Sequence, residues 1–351
     1  MPFFFAIALA LVLTWAARWL GLVTGLVDRP PAASADASPP GSDSLKIHTE
    51  PIPVLGGLGV VVTVLAILLL TGSELPALAI GGVVLATATG LVDDARPLPW
   101  WLRLAALTVA GVPIAVGLPL DPLGPLGEPF VVLLLLLLAN AVNLIDGQDG
   151  LAGGLGAIAA AGLAAVIAAN GGDPVTAIIL AGALVGFLAW NLPPARVFLG
   201  NGGAYGLGAL LTVVATQAVV GHGWHGFLAA MLCLSLLGFE LAFTVVRRLL
   251  AAERLTTGDR RHTYDLLGRS RGNRDRSTLA LWTMGAVSAG AGYASDQVSM
   301  VAAGAMIGVA FVIGTAAGGR LFRQAMDPGE AALDPIPIEV PLDTPQSGEQ
   351  G

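Results

Sequence analysis

Residues 130–150 read FVVLLLLLLANAVNLIDGQDG. The stretch opens with ten uninterrupted apolar residues, then turns polar at Asn140, Asn143, Asp146, Gln148 and Asp149, with glycine at 147 and 150. The leucine run predicts a helix in hydrocarbon or in a deep core. Its end is a different matter. Asp146 and Asp149 stand three residues apart and share a face if the helix continues, as do Asn143 and Asp146. Gly147 and Gly150 allow close approach of backbone to a ligand. A polar cap would account for one or two such residues. Four polar side chains within residues 143–149 exceed that need, so the end of this apolar helix is a candidate binding site.

The rest of the chain supports a membrane setting. It has 351 residues, 55% hydrophobic and 12% charged, with a mean hydropathy of +0.79. A soluble domain carries about 25% charged residues. Runs suited to crossing a bilayer fall near residues 3–24, 53–71, 76–92, 102–118, 130–145, 154–170, 174–191, 204–220, 225–247, 279–294 and 298–317. A span needs about 20 apolar residues, or about 17 at the short end. The expected fold is therefore an all-α polytopic membrane protein of about ten or eleven transmembrane helices. The N-terminal run MPFFFAIALALVLTW has no basic leader and reads as a retained first helix. The single cysteine, Cys233, falls inside a span, so no internal disulfide is expected.

All 17 lysines and arginines fall on one side when the loops are numbered alternately. That side is expected to be cytoplasmic, with the N-terminus outside and the C-terminus inside. The cytoplasmic loops would be 25–52, 92–101, 146–153, 192–203 and 248–278, within a membrane domain of residues 1–320. The tail DPGEAALDPIPIEVPLDTPQSGEQG at 327–351 is acidic and rich in proline, which predicts disorder.

On that side, four further clusters join NLIDGQDG. Asp93 and Asp94 are adjacent in TGLVDDARPLPWWLR. Two carboxylates side by side raise one pKa unless a cation neutralises them, and Mg²⁺ does so through one or two carboxylates plus substrate phosphates. A solvated loop ending a helix would read the same way. FLGNGGAYGLG at 198–208 could cradle phosphate oxygens on backbone amides, or simply let helices pack closely. PIPVLGG occupies 51–57. Asp259, Arg260, Arg261, His262 and Asp265 form a basic and acidic loop in which the arginines suit anionic phosphates. Glu240 is an acid inside the ninth span, a functional candidate by position alone.

The order PxxGG, DD, NxxNxxDGxDGLxGG, PAxVFxG and DRxH resembles the polyprenyl-phosphate N-acetylhexosamine-1-phosphate transferases. GLVDRP at 25–30, His48 ahead of PIPVLGG, and Asp259 to His262 are more similar to the branch using UDP-N-acetylglucosamine than to phospho-MurNAc-pentapeptide translocase. The resemblance covers residues 1–320. It implies an enzyme of a bacterial plasma membrane with a cytoplasmic active site, taking Mg²⁺ or Mn²⁺ as cofactor. Its expected partners are a UDP-sugar, a polyprenyl phosphate lipid and the bilayer, with a homodimer allowed and no nucleic acid. Carried over by motif, Asp93 and Asp94 would serve the metal with Asn201. Asp93, Asp94, His262 and Asp265 would be the catalytic residues. Substrate would be held by His48, Arg103, Asn140, Asn143, Asp146, Asp149, Asn191 and Phe198, the last beside the uracil.

The chain departs from this pattern at several points, among them Gly202-Gly203-Ala204, where the family has a small residue, glycine and serine. Asn201 stands where the family has a metal-binding aspartate, and His262-Thr263-Tyr264-Asp265 replaces HxHH. Glu240 replaces an aspartate. Either Asp265 supplies the missing carboxylate, or the chain is an impaired homologue that binds nucleotide sugar or lipid carrier. A transporter of an anionic solute is a third reading, disfavoured because the polar groups gather on one face rather than near the midplane.

Overall fold

The structure, a computed structural model, describes residues 1–30, 50–220, 222–255, 259–271, 274–297, 299, 302 and 318–326. His48, the eleventh expected span apart from residues 299 and 302, and the acidic tail fall outside these residues. The described chain is helical apart from one short ribbon. In order it forms α1 (Pro2–Thr24), β1 (Val27–Asp28), β2 (Ile52–Pro53), α2 (Gly56–Leu70), α3 (Ala77–Ala95) and α4 (Trp100–Gly117). A 3-10 stretch at Asp121–Leu126 leads into α5 (Gly127–Ile145), α6 (Leu151–Ala169), α7 (Val175–Asn191) and α8 (Gly200–Val219). α9 (Gly223–Cys233), α10 (Ser235–Leu250), α11 (Thr263–Arg271) and α12 (Arg274–Asp296) follow.

Among the described residues, six helices are long and apolar enough to cross a membrane, or seven if α9 and α10, bent by 64° at their junction, count as one broken span. α2 and α7 are shorter apolar helices. The tenth expected span lies within α12, whose ends carry Arg274, Asp275, Arg276 and Asp296. Large apolar side chains stand exposed along the outer helices, among them Phe4, Trp15, Trp19, Val109, Val112 and Val116. A water-soluble surface does not carry such belts. The protein is an all-α polytopic membrane protein, and these belts are its lipid-facing surface.

α8 is the centre of the bundle and is buried along almost its whole length. It packs against α3, α5, α2, α6 and α9, while α1 packs on α7 and α2. Small residues make this close packing possible. A methyl on Gly57 would collide with the Gly203 backbone, so α2 and the first turn of α8 touch main chain to main chain. The loops between α5 and α6 and between α7 and α8 are thereby brought to one end of the bundle, beside the end of α3.

Candidate active site

The site is organised around the first turn of α8. The short ribbon pairs Val27 with Pro53 and Asp28 with Ile52. Three backbone bonds then dock the preceding turn on PIPVLGG. Phe198 N–H donates to Pro53 O at 2.8 Å, Gly56 N–H to Phe198 O at 3.0 Å, and Gly57 N–H to Leu199 O at 3.0 Å. Gly200 opens α8 at φ +73°, where a side chain would run into Val54 O. Only glycine takes that conformation without strain. The two glycine-bearing motifs are thus parts of one junction.

Carboxylates from two other elements close on this turn. Asp94, near the end of α3, accepts Asn201 N–H on Oδ1 and Gly202 N–H on Oδ2, each at 2.9 Å. It caps α8, and the positive end of the helix dipole favours its charge. The Asn201 side chain also donates to Asp94. Asp146, which ends α5, accepts Gly200 N–H at 3.3 Å. Asp149 accepts Ala195 N–H at 2.9 Å. Burial pushes the Asp146 carboxyl well above the usual range; the Gly200 N–H opposes that, and the charges of Asp94 and Asp149 add to it.

Asn191, 2% exposed, ties the two loops together. Its Oδ1 accepts Gly150 N–H at 3.0 Å and its Nδ2 donates to Val197 O at 2.9 Å. Asn191 therefore holds the loops in register from beneath. Asn140 is half-buried and donates to Leu136 O at 2.7 Å within its own helix. Asn143 is half-buried one turn before Asp146. Gln148 is buried and reaches Ser277 Oγ at 3.1 Å and the Thr278 hydroxyl, pinning α12 to this loop.

Asp93 sits differently from its neighbour. It is 5% exposed and accepts Leu98 N–H at 2.7 Å, Tyr205 O–H at 3.2 Å and an Arg103 nitrogen at 3.4 Å. Tyr205 was not singled out from the sequence, although a lone tyrosine in a glycine-rich apolar helix was a visible signal. Arg103 keeps a third of its side chain exposed while pairing with Asp93.

The loop after α10 carries the remaining groups. His262 is buried, and its Nδ1 lies 2.9 Å from Glu240 Oε1. Asp265 is buried in the first turn of α11. Asp259 belongs to a separate lattice of charges. It binds Arg247 at 2.6 Å and Arg248 at 3.1 Å, while Glu253 binds Arg247 at 3.1 Å and Arg261 at 2.5 Å. Burial alone would raise the Asp259 carboxyl, but hydrogen bonds from Arg247 and the Arg261 amide, with the Arg247 and His262 charges, lower it to about 2.

Among the described residues no three His, Cys, Asp or Glu side chains form a ready-made metal cage. Mg²⁺ does not need such a cage, because it keeps waters and takes substrate phosphates as ligands. Asp94 fits that use. Each of its oxygens accepts one amide and keeps lone-pair capacity. Asn201, whose amide nitrogen faces Asp94, retains its amide oxygen.

Comparison with known proteins follows the same segments. Residues 76–219 match the model of glycosyl transferase family 4. Undecaprenyl-phosphate alpha-N-acetylglucosaminyl 1-phosphate transferase of Thermotoga maritima is 40% identical over 93 residues, which are 26% of this chain and 31% of that protein. A probable undecaprenyl-phosphate N-acetylglucosaminyl 1-phosphate transferase of Bacillus subtilis is 26% identical over 289 residues, 76% of each chain. A phospho-N-acetylmuramoyl-pentapeptide-transferase of Synechococcus is 46% identical over 56 residues, 15% of this chain and 16% of that one. The chain thus aligns with about a third of the first relative and three quarters of the second. The matched segment begins just before α3 and closes at the end of α8, and it takes in Asp94 and Asp146, the carboxylates that meet the α8 turn.

Proposed function

We propose that this protein transfers an N-acetylhexosamine-1-phosphate from a UDP-sugar to a polyprenyl phosphate and releases UMP. The observation that supports it best is the meeting of Asp94 and Asp146 on successive amides of one helix N-terminus. Carboxylates held together at a membrane-embedded helix end carry a repulsion that a divalent cation and a diphosphate relieve. The names of the Thermotoga and Bacillus relatives supply the sugar class and the lipid acceptor.

In this reading an oxygen of the lipid phosphate attacks the phosphorus bearing the sugar. The bond from that phosphorus to the bridging oxygen breaks, and UMP leaves with the electron pair. Asp94 and Asn201 would hold Mg²⁺, or Mn²⁺ in its place, with Asp146 facing the same cation. The ion would neutralise charge on the diphosphate oxygens. Asp93, already engaged by three donors, orients Arg103 and Tyr205 and takes up the proton of the incoming lipid phosphate. Asn143, Asp146 and Asp149 hold nucleotide and sugar, with Phe198 beside the uracil. Arg103 and His262 meet phosphate oxygens. The site opens on the cytoplasmic side of a bacterial plasma membrane, the side to which the arginines are confined.

An asparagine at position 201 in place of an aspartate also admits an impaired homologue. No observation favours that reading, since Asn201 donates to Asp94 and keeps its oxygen. The test is UMP release by the purified protein with Mg²⁺, polyprenyl phosphate and a panel of UDP-sugars, alongside Asn201→Asp. Release by the unaltered chain supports the proposal. Release by Asn201→Asp alone would overturn it in favour of a binding role.

A further inference from the structure

We infer that Glu240 and Tyr264 are positioning residues that bracket the His262 ring and fix it against the end of α5. The inference rests on the reading of His262 as a phosphate-contacting group.

Glu240 lies in α10 and is 2% exposed. Burying a carboxylate in a membrane helix is costly, so its partners matter. They are three consecutive contacts on one loop: His262 Nδ1 at 2.9 Å, Thr263 N–H at 3.3 Å, and the Thr263 hydroxyl. Thr244, one turn along α10, reaches both Glu240 Oε1 and His262 Nδ1 at 3.3 Å. A carboxylate at Nδ1 places a proton there and leaves Nε2 as the atom that can address a ligand.

Tyr264 secures the other side of the ring. The His262 and Tyr264 rings stack with centroids 5.3 Å apart and planes 6° from parallel. The Tyr264 hydroxyl donates to Leu144 O at 3.3 Å, two residues before Asp146. It lies over Gly147, where a methyl group would collide with it. The imidazole is therefore fixed relative to both the bent helix α10 and the segment carrying Asn143 and Asp146. Tyrosine suits this position because its hydroxyl spans the distance to α5 while its ring still stacks.

The test uses full-length protein in detergent with ¹⁵N-labelled histidine, the His262 signals being those lost in His262→Ala. Glu240→Gln keeps the shape and removes the charge. Tyr264→Phe keeps the stack and removes only the anchor to Leu144, and Gly147→Ala pushes on that anchor from the other side. Glu240→Gln is expected to shift the His262 ring nitrogens and to lower kcat for UMP release by about tenfold or more, with KM for the UDP-sugar within about twofold. Tyr264→Phe and Gly147→Ala should lower kcat in the same sense, and they carry the test if Glu240→Gln fails to fold. Folded variants with unchanged His262 signals or unchanged kcat would overturn the inference while the transferase reading stands. Shifted His262 signals in a protein that releases no UMP from any donor would sink the transferase reading and, with it, the phosphate role on which this inference rests.

Discussion

Asp94 caps α8 through Asn201 and Gly202, giving each carboxylate oxygen one backbone amide at 2.9 Å. The bonds join the last turn of one helix to the first turn of another, so the same carboxylate is structural and available for chemistry. The two roles separate by mutation. Asp94→Asn retains an acceptor for one amide, and Asp94→Ala retains none. Loss of a helix cap costs about 1 kcal/mol. Asp94→Ala should therefore melt below wild type and Asp94→Asn close to it, while both lose UMP release by about a hundredfold or more. Equal melting of Asp94→Ala and wild type in a detergent thermal scan would remove the capping role.

Gly200 makes a conformational prediction. At φ +73°, and with Val54 O in the way, an alanine there must strain the backbone and push PIPVLGG off the α8 turn. Strain of this kind costs roughly 1–3 kcal/mol. Gly200→Ala should lower the melting temperature and weaken UDP-sugar binding together, because the displaced turn carries Phe198. Binding measured by calorimetry that survives a clear loss of stability would place the nucleotide elsewhere.

The sequence made much of this legible. Long apolar runs predicted the helices near their observed bounds, because a lipid-facing helix cannot hide its composition. The DD, NLIDGQDG and FLGNGG clusters were visible as polar groups with no reason to sit beside hydrocarbon. Their mutual arrangement was not visible, since a carboxylate capping a helix more than a hundred residues away leaves no local pattern. The ninth span illustrates the limit. Its hydropathy reads as one helix, yet the chain bends 64° between Cys233 and Ser235 without proline or glycine at the junction. Asp259 reads in the sequence only as one member of a charged loop with Arg260, Arg261, His262 and Asp265, and the structure commits it to Arg247 and Arg248.

Asn191 tests whether the α5–α6 and α7–α8 loops act as one unit. Replacing it with alanine leaves Gly150 N–H and Val197 O without their partner. A buried polar group left unsatisfied costs about 1–3 kcal/mol. Asn191→Ala should lower stability by an amount in that range and raise KM for the UDP-sugar more than it lowers kcat. A pure kcat effect would mean that Asn191 touches the reacting groups instead.

Topology has a direct check. Arg196 is exposed in the α7–α8 loop and the native Cys233 is buried, so Arg196→Cys should be the reactive thiol. A membrane-impermeant maleimide should label it in inverted vesicles and leave it unlabelled in intact cells. Labelling of intact cells would invert the orientation inferred from the arginines.

The Asp259 lattice predicts a pH dependence of stability. Arg247 is fully buried and relies on Asp259 and Glu253 for its charge. Removing one partner of a buried pair costs about 3 kcal/mol or more, so Asp259→Asn should melt well below wild type at neutral pH. The folded carboxyl titrates at about 2, below its ordinary value of 3.8. A depressed carboxyl binds protons more weakly folded than unfolded, so its contribution is present above pH 3.8 and is lost as pH falls towards 2. The gap between wild type and Asp259→Asn should thus hold from neutrality down to about pH 4 and close below it. Thermal scans of both proteins across that range decide the matter, and a gap that persists unchanged at pH 2 would show that packing, not charge, holds Asp259 to Arg247.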